Sequence, residues 1–140
     1  MNLNRLYTIA DNENIDIYDW HIENCNGIYL NYDKINAIAL NYDKLGTYID
    51  EKCTLAEELG HYYMDATYNY HSIDNVLKSK QEYRAKKWSY TVLVPFEKLK
   101  SAIKNGLYEV YQLADYFEVT CEYMQNAVQF YQSKYGIIVS

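Results

Sequence analysis

Cysteine, proline, phenylalanine and long apolar runs are all scarce in these 140 residues. The three cysteines, Cys25, Cys53 and Cys121, are odd in number and widely spaced, with no C-x-x-C pair. That excludes a disulfide framework and a thiolate zinc site, and three reduced, buried thiols are the expectation. The longest apolar stretches, around 36–40 and 92–96, fall far short of a membrane span. The segment after Met1 carries no apolar core of a secretory leader, so a cytoplasmic location is expected. Positive charge is also short: 13 Lys and Arg stand against 19 Asp and Glu, a net charge of −6. This argues against non-specific binding to DNA or to an anionic membrane.

Tyrosine is abundant. There are 18, against 3 Phe and 2 Trp, and they supply much of the 49% hydrophobic content. A tyrosine ring can be buried while its hydroxyl still needs a partner, so the core should be polar-tipped rather than disordered. The length suits one domain, 1–140.

Residues 1–20 read as a short helix or loop feeding a strand, with alternation at Ile15-Asp16-Ile17-Tyr18. Gly27–Tyr32 and Ala37–Asn41 are β-like runs separated by Asp33-Lys34-Ile35-Asn36, which predicts a hairpin. The strands therefore fall mainly within 15–42. From Thr47 the period becomes helical, with Tyr48, Ile49, Cys53, Ala56, Leu59 and Tyr63 on one stripe, giving a helix over about 47–64. A polar loop follows. Asp74 is a plausible N-cap for a helix over about 74–93, which must stop before Pro95. Further helices fit 96–104, 107–117 and 120–135, with Asn105-Gly106 as a stop. Strands first and helices afterwards predict an α+β fold: a small antiparallel sheet packed on a helical bundle.

Charge is unevenly placed. Residues 78–104 hold eight basic side chains against Glu82 and Glu97, a local +6, while the remainder carries 5 basic and 17 acidic residues, or −12. Such a band either docks an acidic partner or is a solvated face.

The segment Leu55-Ala56-Glu57-Glu58-Leu59-Gly60-His61-Tyr62-Tyr63 carries the candidate chemistry. Residues four apart share a helix face, so Glu57 and His61 can address one ion, with Glu58 able to reach a water on it. This is the spacing of H-E-x-x-H with glutamate in the first histidine's place. Gly60 lies inside the helical pattern at a cost of about 1 kcal/mol, which suggests a close approach of backbone or ligand. On the downstream helix, Glu82 shares a face with Ala85, Ser89 and Val92, opposite Lys80, Arg84 and Lys87. A carboxylate on that inward face needs a partner, and a metal is one answer. Competing readings stay open: Thr54-x-x-Glu57 fits a capping box, His61 could be a core histidine, and Tyr62 and Tyr63 could hold an oxyanion or simply pack.

The two segments together, Leu55–Tyr63 and Glu82-x-x-Ala85-x-x-Trp88-Ser89-x-x-Val92-x-Val94-Pro95, resemble the ImmA/IrrE metallopeptidases. That family has H-E-L-G-H followed by E-x-x-A-x-x-F-A-x-x-L-L-x-P. The resemblance spans roughly 25–135, since Leu113-Ala114-x-x-Phe117-x-Val119-Thr120 matches the family's C-terminal region. It implies a minimal zincin-like, gluzincin-type domain in which Glu57, His61 and Glu82 hold zinc and Glu58 is the catalytic base. The family pattern is broken at Glu57. Two ligating carboxylates neutralise a dication, so slower hydrolysis or tolerance of Mn2+ would follow. His71 in the polar loop is a conceivable replacement imidazole.

The resemblance further implies a prophage or mobile-element endopeptidase acting on a regulatory protein, such as a helix-turn-helix repressor. The alternative is a catalytically impaired relative serving as a protein-binding module, an anti-repressor or anti-defence inhibitor. Direct DNA binding is a third possibility that charge opposes. The C-terminal segment looks like a helix-turn-helix, but between Gly106 and Ser133 it carries Glu109, Asp115, Glu118 and Glu122 and no Lys or Arg. Phosphates would be repelled, so a helical hairpin completing the core, or a protein-binding surface, is the better expectation.

Overall fold

The computed structural model describes residues 1–64 and 75–136. The first helix, α1 (Leu3–Asn12), is capped by Asn2, whose side chain accepts from the Arg5 N–H at 2.9 Å, and it buries Leu6 and Ala10. Three strands follow: β1 (Asp16–Asp19), β2 (Gly27–Tyr32) and β3 (Ile35–Leu40). β2 and β3 form the expected hairpin, with Tyr32 opposite Ile35 and Gly27 opposite Leu40. Asp33 and Lys34 take positive φ at the turn, the backbone that matches strand twist in a two-residue connection.

The sheet order is β1-β3-β2, and β1 joins β3 in parallel, with Asp16 opposite Ala37. The sheet is therefore mixed, where the expectation was an antiparallel one. Turn chemistry dictates the direction of a hairpin, but a strand brought in from α1 takes whichever direction its approach allows. β3 is central, and its Ile38, Ala39 and Leu40 are all buried.

The long helix α2 (Tyr48–Tyr63) starts at Thr47, whose side chain accepts from the Asp50 N–H. It touches α1, β2, β3 and α3, so it is the beam on which the rest is assembled. α3 (Asn75–Leu93) packs on it and ends just before Pro95, from which α4 (Phe96–Lys104) departs. α5 (Val110–Phe117) begins with a Glu109/Gln112 capping box and ends at Glu118 in the left-handed region. Thr120 then caps α6 (Cys121–Tyr135), accepting from the Tyr123 N–H at 3.0 Å.

The α5–α6 pair completes the core, burying Leu113, Ala114, Phe117, Val119, Tyr123 and Met124. Two of the buried tyrosines tie their hydroxyls to neighbouring helices. Tyr123 donates to Ser89 Oγ at 2.7 Å and Tyr131 to the Val94 carbonyl at 2.8 Å. Cys53 is buried, Cys25 is partly covered and Cys121 is exposed, all as free thiols. The expectation of three buried thiols therefore holds at Cys53 alone: Cys25 is only partly covered, and Cys121 is an exposed residue opening a helix rather than a core-facing one.

Candidate metal centre

The site is built where α2 and α3 come closest. Gly60 makes this possible: a Cβ there would overlap the Ala85 carbonyl oxygen and stand 2.9 Å from its carbon. The interior glycine thus marks an approach of backbone to backbone, not of a ligand. With the helices this near, His61 and Glu82 meet across the seam, Nε2 to Oε2, at 3.4 Å. His61 is 3% exposed, while the Glu82 side chain is 41% exposed, so the pair sits at the edge of the core with one side open. Ala85 and Ser89 lie fully buried on the same side of α3, as the inward face requires.

β2 supplies a wall that sequence reasoning missed. The Tyr29 ring stacks on the His61 imidazole, centroids 6.5 Å apart and planes within 9°. The Tyr29 backbone N–H also bonds the Glu58 carboxyl. No spacing rule links a strand tyrosine to a helix histidine. Burial pushes the Glu58 carboxyl up to about 8, with nearby Glu82 and Glu57 adding to the rise and His61 and the Tyr29 N–H opposing it.

Glu57 is one turn before His61 on α2 and borders a polar cavity of about 280 Å³ shared with Lys86, Thr54, Thr120, Glu122 and Asn126. Burial raises its carboxyl to about 7, with Lys86 pulling the other way. The capping reading of Glu57 falls, because α2 begins at Thr47 and Thr54 lies in its interior. Tyr62 and Tyr63 send their hydroxyls to the two oxygens of Glu13, at 2.7 and 3.3 Å. Those hydroxyls are committed to α1's flank rather than to a reacting group. His71 and Asp74 lie outside the described residues.

The donor set can be tested against an ion. Two donors on one tetrahedral zinc stand about 3.3 Å apart, from metal–donor distances near 2.0–2.1 Å. The His61–Glu82 separation matches that edge, and nitrogen and carboxylate oxygen are suitable donors. The fit stops at two, since among the described residues no three His, Cys, Asp or Glu side chains form a group able to hold an ion.

A family model described as the IrrE N-terminal-like domain of the M78 peptidases matches residues 10–129. The chain belongs to this metallopeptidase family. No curated protein and no solved structure matches it. For an IrrE N-terminal-like chain a small α+β, zincin-like fold is the family architecture, and the mixed sheet with six described helices agrees with it. Among the described residues no helix is long and apolar enough to cross a membrane.

Proposed function

We propose that this IrrE N-terminal-like protein is a metal-dependent endopeptidase of a prophage or mobile element, acting in the cytoplasm on one regulatory protein such as a helix-turn-helix repressor. The observation that carries the reading is the His61–Glu82 pair, set at ligand-to-ligand distance beside Glu58 in a chain of this family. His61 and Glu82 would hold the ion, and Glu57, on the same flank of α2, would be the third donor. Zinc suits the nitrogen donor, and the second carboxylate favours tolerance of Mn2+. When bound, the ion supplies a Lewis acid for the scissile carbonyl and acidifies a water.

The protein's own groups do the rest. Glu58, desolvated yet hydrogen-bonded by the Tyr29 N–H, takes a proton from the attacking water and returns it to the leaving amine. Tyr29 holds the His61 ring plane so that Nε2 faces Glu82.

A second reading has its own observation. Glu57 borders the Lys86 cavity and does not join His61 and Glu82 in a three-donor group, which favours an impaired relative that binds a regulator without cutting it. Elemental analysis of protein purified without chelator separates the two. The enzyme reading expects one equivalent of metal, lost in His61→Ala and in Glu82→Ala. With metal present, Glu58→Gln should abolish cleavage of a candidate repressor while leaving fold and metal content unchanged. Cleavage that survives this change removes Glu58 from its role, and absence of metal removes the enzyme reading.

A further inference from the structure

The basic band of α3 is not used by the metal site. Its outward side forms, with the end of α6, a groove of about 650 Å³ whose walls include Tyr83, Arg84, Lys87, Trp88, Phe130 and Lys134. We infer that this groove docks an acidic peptide segment carrying an apolar side chain, contributed by a protein partner.

Charge and shape both favour that occupant. Three cations line the groove, and among the described residues that line it there is no Asp or Glu. Among the described residues none of the three is within ion-pair distance of a carboxylate. Arg84 is held in place by donating to the Met64 carbonyl at 2.7 Å, which fixes its guanidinium without neutralising it. Lys87 lies over the Tyr83 ring and Lys134 over the Phe130 ring, at 4.8 and 5.8 Å from the centroids. Trp88 is stacked on Tyr63, centroids 4.7 Å apart, so the aromatic floor is preset rather than formed on binding. An apolar side chain can rest on that floor while flanking carboxylates meet the cations.

A nucleic acid strand fits less well. Its phosphates continue past any short groove, and the chain outside residues 78–104 carries −12, including an α5–α6 stretch without a cation until Lys134. An acidic peptide can place its charges only where the cations are. This inference does not rest on the peptidase reading, and its readout is binding, not cleavage.

The test uses the full chain with Trp20→Phe, which leaves Trp88 as the fluorescent reporter. The probes are a synthetic Asp/Glu peptide with a central Phe, the same peptide with Lys replacing the acids, and oligothymidylate. Saturable binding of the acidic peptide alone is expected, weakened about tenfold by Lys134→Glu and by Lys87→Glu and weakened also by added salt. Lys134 is exposed, so its reversal leaves the fold intact, and circular dichroism checks both variants. No binding of the acidic peptide, equal binding of the basic one, or affinity unchanged in folded Lys134→Glu overturns the proposal. Tighter binding of oligothymidylate overturns it in favour of a single-stranded nucleic acid.

Discussion

At the scale of single residues, Gly60 carries more of the site than any side chain around it does. Adding one methyl group would drive a Cβ into the Ala85 backbone, which cannot move without moving α3. Gly60→Ala should therefore cost about 3 kcal/mol, the overpacking range, and should also separate His61 from Glu82. Denaturant unfolding checks the first part and metal content the second; a variant as stable as the parent would show that α3 slides freely. Cys53 gives a chemical test of the same burial. Its thiol is pushed up to about 11 by burial, while Cys121 is exposed. An alkylating reagent at neutral pH should label Cys121 in the native protein and reach Cys53 only after unfolding. Equal labelling of both would mean that the packing over Cys53 opens readily.

At the scale of elements, Lys52 ties two helices together. It is 2% exposed, and its Nζ donates to the Phe117 carbonyl at 2.9 Å, at the end of α5. The ammonium thus satisfies an orphan carbonyl and faces the negative end of the helix dipole. Lys52→Ala loses the packed stem and leaves that carbonyl without its donor, at a cost of about 2 kcal/mol. Lys52→Met, which keeps the stem, should cost less. Burial lowers the Lys52 ammonium below its ordinary 10.5, with Glu118 opposing the fall. The unfolded chain then binds the proton more tightly, so this group's contribution to stability rises with pH between the lowered native value and 10.5. Unfolding free energies for parent and Lys52→Met should draw apart across that window, the parent gaining as pH rises, if the assignment is right, and run parallel if it is wrong.

For the whole molecule, the tyrosine content becomes a prediction about alkali. Burial raises the phenols of Tyr7, Tyr90 and Tyr123 well above their ordinary 10 and takes Tyr131 to about 12, while hydrogen bonding to Glu13 takes Tyr62 to about 12. A phenol raised in the folded state keeps its proton after the unfolded chain has released it. Its contribution is full below pH 10 and is lost as pH rises toward the native value. Several such groups outweigh the single lysine, so the protein should unfold cooperatively above pH 10. Phenolate absorbance should then appear together with loss of helical circular dichroism. Phenolate appearing well before unfolding would show that these hydroxyls are not held as described.

Much of this architecture is legible in the residues themselves. The change from alternation to a helical period near Thr47, the turn at Asp33-Lys34, the stop before Pro95 and the closing cap at Thr120 are local signals. Local backbone preferences act within a few residues of themselves, so a linear reading can capture them. The interior glycine likewise announces a close contact, because nothing else repays its cost. The partner in that contact is a different matter. That Ala85 lies against Gly60, that Tyr29 of β2 stacks on His61, and that β1 runs parallel to β3 are choices made between segments far apart in sequence. The same holds for Glu57 and His61. Their spacing puts both on one helix flank, but only the packing of α3 brings Glu82 to the histidine and Lys86 to the glutamate's cavity. Spacing determines which side chains can share a face; the neighbouring helix decides which groups each of them meets.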